Sequence, residues 1–373
     1  MRYFIIAGEQ SGDLHGSNLV KELLITDKNA EIRCWGGDLM ESAGAKLLVH
    51  YRKLAFMGFV AVIKNISAIS KNIKLCKVQI TEFRPDVIIF IDYPGFNLRI
   101  AEFARKAGYR TFYYISPKLW AWNEGRVKKI KKFIDRMFII FPFEVDFYKK
   151  HGITVEYQGN PLIDETEKRI SAFPSKADMY RYLGIEEKPV IALLAGSRRH
   201  EIDLVLPAML KTVDHFPGYQ FILAGVKNIP DEQYFKIIGN LPVRLIKEKT
   251  YEILYIADAA LVTSGTATLE AALYGTPQVV CYKGDFLSMI IAWMVIKVKY
   301  ISLVNLIMNF EVVKELVQYD LKEGSLLREL KAILPGGEKR EKLLSDYEVL
   351  KIKLGSAGAS GRIAREMVAE LRK

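Results

Sequence analysis

Short, nearly uninterrupted apolar runs recur along this chain, separated by longer stretches of helical period. The runs at Arg2–Ala7 and at residues 32–35, 87–92, 110–115 and 136–140 predict the strands of one sheet. A join with prolines at Pro161 and Pro174 covers residues 159–175. A second set of runs follows at Val190–Leu194, residues 220–224 and 243–246, Ala259–Thr263 and Gln278–Tyr282. Strands buried on both faces read as such runs, and helical stretches between them are the crossovers of a parallel sheet. The pattern therefore predicts an α/β chain of two doubly wound, Rossmann-like domains facing one another. Their expected bounds are 1–165 and 166–337. A charged helical tail, 338–373, is expected to return to the N-terminal domain, its own or a partner chain's.

The length of 373 residues suits two domains. Cys34, Cys76 and Cys281 are far apart and form no CxxC or metal-ligand spacing, which favours a reducing compartment and no disulfide framework. The first apolar run is too short for an export signal. The two longest uncharged runs, 286–296 and 300–310, are separated by Lys297, Val298 and Lys299. A membrane span needs about 18 or more apolar residues, so no transmembrane helix is expected. The net charge of +11 leaves nucleic acid, an anionic membrane surface and phosphorylated substrates as candidate partners.

The candidate chemistry falls where strands end. Residues 4–16 read FIIAGEQSGDLHG, with Gly8, Gly12 and Gly16 out of register with a GxGxxG fingerprint. This is either a tight turn with Ser11 or Asp13 capping a helix, or an acceptor-side site in which Ser11, Gly12 and Asp13 use the helix start to position a substrate. Asp92 ends a strand before Tyr93-Pro94-Gly95, and is either a turn aspartate or a general base for a hydroxyl proton. Residues 113–133 carry Trp120, Trp122 and a helix bearing Lys128, Lys129, Lys131 and Lys132. That helix is either packed with a solvated cationic side, or it meets phosphates or anionic head groups. In Gly196-Ser197-Arg198 the small residues admit a ligand and Arg198 offers a forked donor to a diphosphate; the alternative is an ordinary surface arginine. Residues 260–280 hold Ser264, Gly265 and Thr266, then a helix with Ala267, Thr268 and Glu270. A helix start there suits a diphosphate and Glu270 suits ribose hydroxyls, although a purely structural turn is also open.

AGEQSGDLHG, FMGF, PDVIIFIDYPGFN, YYISPKLWAW, FPFE, GSRRHEI, SGTATLE and VKELVQ follow in the order found in lipid-A-disaccharide synthases, and the chain resembles that family from Ala7 to about Gln318. The resemblance implies a GT-B fold, two facing Rossmann-like domains with a cleft between them. It implies inverting transfer of 2,3-diacylglucosamine from its UDP derivative to 2,3-diacylglucosamine 1-phosphate. The products would be a β-1′,6-linked lipid A disaccharide 1-phosphate and UDP, with neither metal nor cofactor. Asp92 and Arg198 match essential family positions. Gly196, Ser197, Ser264, Gly265, Thr266, Ala267, Thr268 and Glu270 match the UDP site, and Asn305, Glu315 and Gln318 match donor-site positions. Gly95, where many members have a second aspartate, and His15 and Lys118 depart from the pattern. The implied setting is the cytoplasmic face of an anionic inner membrane, as a peripheral monomer or homodimer with no nucleic-acid partner. Residues 54–63 and 286–310 would line acyl grooves or dip into the bilayer, or else be core helices. The nearest rivals are another GT-B enzyme of UDP-sugars, a transferase of cell-wall synthesis or an epimerase.

Overall fold

The computed structural model describes residues 1–54, 66–122, 124–284 and 299–373, and not the side chains of residues 66, 121 and 122. FMGF, the Trp122 side chain and most of the apolar stretches 54–63 and 286–310 thus lie outside the described residues. The chain divides into two compact units, Met1–Asp164 with Gly355–Lys373, and Glu165–Leu354.

In the first unit seven parallel strands are β1 (Arg2–Ala7), β2 (Glu31–Gly36), β3 (Lys46–His50), β4 (Val87–Ile91), β5 (Arg110–Tyr114), β6 (Arg136–Ile139) and β7 (Glu156–Tyr157). They are ordered β3-β2-β1-β4-β5-β6-β7. Every residue of β4 is buried, and so is all of β1 except Arg2. Phe4, Ile6, Ile88, Phe90 and Tyr113 from the sheet pack with Phe96, Ile100 and Ile130 from the covering helices. β1 and β4 lie side by side, with β2 and β3 beyond β1 and the rest beyond β4. The direction of winding reverses between them, and in such sheets ligands bind outside the carboxyl ends of the strands at that point.

The second unit repeats the design with β8 (Val190–Leu194), β9 (Gln220–Gly225), β10 (Val243–Lys247), β11 (Ala259–Thr263), β12 (Gln278–Tyr282) and β13 (Lys314–Val317). Its order is β10-β9-β8-β11-β12-β13, all parallel, and the winding reverses between β8 and β11. Helix Leu303–Met308 buries Leu303, Val304, Ile307 and Met308, so this part of the apolar stretch 300–310 is core.

The return to the first unit begins at Gly355, not at 338 as the charged tail suggested. Helix Arg340–Leu354 stays with the second unit because Tyr347 is buried there, with its hydroxyl 3.1 Å from Gln278 Nε2, and Arg340 donates to the Asp258 carbonyl at 2.7 Å. Helix Ala359–Leu371 belongs to the first unit. It packs on helix Gln10–Thr26, Asp164 accepts from the Gly358 and Ser360 N–H groups at its start, and Arg110 bonds Glu370 near its end.

Candidate active-site residues in each unit

In the first unit the residues at the winding reversal are the Gly8 turn after β1 and Asp92 after β4. The register pairs Ala7 with Ile91 and Ile91 with Tyr114, which aligns Gly8, Asp92 and Ile115 across three strands. Asp92, Tyr93 and Ile115 all take left-handed backbone conformations, with φ of 42°, 47° and 62°. Such strain in residues with side chains persists only where the surroundings enforce it. Here they do. The Asp92 N–H donates to the Ile115 carbonyl at 3.2 Å. The Asp92 carbonyl accepts from the Tyr113 hydroxyl at 2.5 Å and from Asn97 Nδ2 at 2.7 Å. The Tyr93 hydroxyl donates to the Leu54 carbonyl at 2.9 Å, and a Cβ at Gly8 would lie 2.3 Å from the Tyr93 ring. Gly8 is therefore required for close approach.

This frame leaves the Asp92 side chain for other work. Burial pushes its carboxyl up to about 6; the nearby Lys118 ammonium opposes that rise, Glu9 adds to it, and the Tyr93 N–H opposes it. A carboxyl of that kind is ionised at neutral pH yet remains basic enough to take a hydroxyl proton. Asn97 and Tyr113 were not singled out by sequence. Asn97 stands inside IDYPGFN, but nothing in the spacing shows that it grips the Asp92 carbonyl. Gly95 is exposed with open space where a Cβ would stand.

The acceptor-side reading of residues 11–13 needs correction for two of the three. Asp13 is 2% exposed and its carboxylate accepts from the backbone N–H groups of Gly37, Leu39 and Met40 at 2.7–3.1 Å. It caps the short helix Asp38–Ser42 and is not presented to a substrate. Gly12 packs helix Gln10–Thr26 onto the sheet, where a Cβ would stand 3.2 Å from the Ala7 side chain. Ser11 is exposed. On helix Val127–Phe133 the residues Val127, Ile130 and Phe133 are buried while Lys128, Lys129, Lys131 and Lys132 are exposed.

In the second unit the reversal brings together the turns after β8 and β11. Gly196 has φ 111°, and Glu201 folds back over it. The Glu201 carboxylate accepts from the Ser197 and Arg198 N–H groups at 3.2 and 3.3 Å and pairs with Arg198 Nη1 at 2.7 Å. Two N–H groups and a guanidinium converging on one carboxylate form a donor set that also fits a phosphate. The Arg198 side chain is 60% exposed, so it can turn to such a ligand.

After β11, helix Thr266–Leu273 begins with Thr266 exposed. The first N–H groups of a helix lack intrahelical partners, the standard setting for an anion; here the Thr268 N–H already bonds the Gly265 carbonyl at 3.2 Å, which leaves those of Thr266 and Ala267 as the candidates. The Ser264 hydroxyl donates to the Ile301 carbonyl at 2.8 Å. Thr268 is buried, with its hydroxyl donating to the Gly265 carbonyl and accepting from the Leu303 N–H, so it braces the turn from behind. Ala267 is half-buried on the first turn. Glu270 Oε1 accepts from the Tyr251 hydroxyl at 3.1 Å; burial raises its carboxyl, and the Tyr251 bond and Arg169 oppose this. Arg169 stacks over the Tyr251 ring at 4.5 Å.

Asn305 and Glu315, expected at the donor, are committed to the fold. Asn305 is fully buried; its oxygen accepts from the Val312 and Val313 N–H groups, and its nitrogen donates to the Val313 carbonyl and to Glu315. Glu315 also accepts from the Ile301 and Ser302 N–H groups and the Ser302 hydroxyl at 2.8–2.9 Å. The pair shapes the loop whose Ile301 carbonyl holds Ser264. Gln318, with φ 53°, is half-buried. Among the described residues no group of three or more His, Cys, Asp or Glu could hold a metal ion, and no helix is long and apolar enough to cross a membrane.

The fold has many solved counterparts. The S. aureus MnaA structure with UDP superposes with a TM-score of 0.71 at 16% identity, covering 100% of this chain and 97% of that one. The calicheamicin glycosyltransferase CalG4 gives 0.61 at 13% identity, covering 100% and 98%. With two parallel α/β units, this places the chain in the GT-B fold class. At the sequence level, lipid-A-disaccharide synthase of Geobacter metallireducens is 38% identical over 370 residues, 97% of this chain and 95% of that protein. Lipid-A-disaccharide synthase 1 of Legionella pneumophila strain Paris is 36% identical over 379 residues, 99% and 97%. The family model described as lipid-A-disaccharide synthetase matches residues 3–365. The chain belongs to the lipid-A-disaccharide synthetase family.

Proposed function

We propose that this glycosyltransferase of lipid A biosynthesis joins UDP-2,3-diacylglucosamine to 2,3-diacylglucosamine 1-phosphate with Asp92 as general base and Arg198 as the principal diphosphate contact. The acceptor 6-hydroxyl oxygen forms a bond to the donor anomeric carbon as the bond from that carbon to the UDP oxygen breaks. Attack from the face opposite UDP inverts the centre and gives the β-1′,6 linkage. The hydroxyl proton passes to the Asp92 carboxylate, and the leaving electron pair goes to UDP. A base at that position is typically worth about 10²–10⁴-fold. The observation that carries this reading is the rigid Asp92 turn: a strained strand end, locked through its main chain, that holds a half-buried carboxyl pushed up to about 6.

On the donor side, Arg198 and the first turn of helix Thr266–Leu273 take up charge that grows on the diphosphate as the bond breaks, so they favour the transition state over the bound ground state. Glu201 holds that place until a phosphate displaces it. Ser197, Gly196, Gly265 and Ala267 supply close backbone approach, Glu270 faces the ribose, and Gln318 borders the sugar. The basic surface, including the exposed lysines of helix Val127–Phe133, favours peripheral association with an anionic inner membrane on its cytoplasmic face.

The test is mass spectrometry of the product formed from the two acylated substrates, with the anomeric coupling read by NMR. A β-linked disaccharide 1-phosphate and one UDP per turnover are expected. Epimerised UDP-sugar without transfer would overturn the reading in favour of the epimerase-like alternative.

A further inference from the structure

We propose that Glu144 is a positioning residue for the transfer: it holds the turn after β5 so that Lys118 stays beside the Asp92 carboxyl. The proposal rests on the reading of Asp92 as the general base.

Glu144 lies in the first turn of helix Phe143–Lys150 and is 1% exposed. A carboxylate so deeply placed is retained only with donors around it. Its Oε1 accepts from the Ser116 hydroxyl at 2.7 Å and from Trp120 Nε1 at 3.1 Å, and its Oε2 accepts from the Phe141 N–H at 3.2 Å. Tyr148, also buried, places its hydroxyl 3.0 Å from the Ser116 hydroxyl. One side chain thus ties the chain leaving β6 to two points of the chain leaving β5. The segment between those points carries Lys118, an exposed residue whose positive charge favours ionised Asp92. The residue just before it, Ile115, has left-handed φ and accepts the Asp92 N–H. The link through charge between this turn and the base therefore depends on a segment that Glu144 fastens. Nothing in the transfer chemistry needs Glu144 itself, since it is sealed from solvent.

The groups that face Asp92 are Lys118 from the turn after β5, Glu9 ahead of helix Gln10–Thr26, Tyr93 at the start of the next helix, and Tyr113 from β5. Around Glu144 stand Tyr148 and Tyr157. Burial pushes the Glu144 carboxyl itself up to about 7. The pH test is therefore placed on variants that keep every ionisable group near both acids, Ser116→Ala and Trp120→Phe.

The experiment measures kcat/KM against pH for the whole enzyme and for Ser116→Ala, Trp120→Phe, Lys118→Met, Glu144→Gln and the double variant Glu144→Gln with Lys118→Met. Lys118→Met removes the cation that favours ionised Asp92, so the acid limb moves to higher pH, by about half to one unit. Ser116→Ala and Trp120→Phe move it the same way. Glu144→Gln does so too; with its carboxyl pushed up to about 7, Glu144 is largely protonated across the acid limb, so its replacement takes little charge from the neighbourhood of Asp92. The double variant falls no further than Lys118→Met alone, because the two residues act in series. Uniform losses at every pH, with an unmoved acid limb in Ser116→Ala and Trp120→Phe, or losses that multiply in the double variant, would overturn the proposal. Melting curves guard against unfolded Glu144→Gln, and the two smaller changes keep the test open if that variant does not fold. Asp92→Asn is run alongside: retained turnover there would sink the base assignment, while lost turnover with unmoved limbs sinks only the role of Glu144.

Discussion

Replacing Asp92 by asparagine should disable the enzyme and stabilise it. Asparagine has nearly the same shape and tolerates left-handed φ as well as aspartate does. The bonds from Tyr113, Asn97 and to Ile115 all run to the Asp92 main chain, so they survive the change. What is lost is a carboxyl whose fold raises it from 3.8 to about 6. Two units correspond to about 3 kcal/mol, and water at the half-buried group reduces this to about 1–2 kcal/mol. The sign follows from linkage: an acid harder to ionise in the folded than in the unfolded chain costs stability once pH rises above its unfolded value. The wild-type protein therefore loses stability as pH climbs from about 4 through about 6, and Asp92→Asn does not. The two should melt together near about pH 4. At about pH 8 the variant should melt higher by about 2–8 °C, given roughly 2–4 °C per kcal/mol for units of this size. Its kcat/KM should fall by about 10²–10⁴. Thermal melts of both proteins across this range, with turnover at pH 8, check the argument. A variant that melts at or below wild type at pH 8, with no gap opening from pH 4, would refute it.

Arg198→Ala should weaken UDP binding by about tenfold or more and lower kcat/KM by about 10²–10³, since the guanidinium acts most on the charge of the breaking bond; unchanged UDP titration with normal turnover would remove Arg198 from the site. Asp13→Ala should lower the melting temperature, because the buried Gly37 and Met40 N–H groups and the part-buried one of Leu39 lose a shared carboxylate at a cost of about 3 kcal/mol, with UDP affinity unaltered. A normal melt with a raised KM for the acceptor would restore Asp13 to the acceptor side. Flotation with anionic vesicles should carry the protein up at low salt and release it at high salt; failure to float at low salt counts against membrane association.

The strands legible from the sequence are the central ones. β1, β8, β11 and β12 have the bounds that their apolar runs suggest because they are buried almost throughout. The runs at 87–92 and 110–115 overshoot by one residue each, since Asp92 and Ile115 are apolar-flanked yet turn left-handed and end the ladder. β3, β7 and β13 escaped notice: each is an edge or near-edge strand with mostly half-buried residues, and β7 has only two. The helix over Arg340–Leu354 could not be assigned to a unit by period alone, because the partner of Tyr347 is Gln278, some seventy residues away. The same limit applies to the site. Strand-end position and residue type single out Asp92, Arg198 and Ser264 to Thr266 as candidates. They could not distinguish these from Asp13, Thr268, Asn305 and Glu315, whose polar atoms are occupied by main-chain groups distant in sequence.

The most direct measurement is a crystal structure of the enzyme with UDP and the acylated acceptor bound. The diphosphate should lie against Arg198 and the start of helix Thr266–Leu273, with the acceptor 6-hydroxyl within about 3 Å of an Asp92 carboxylate oxygen. An acceptor bound with that hydroxyl remote from Asp92, while UDP occupies its site, would contradict the account.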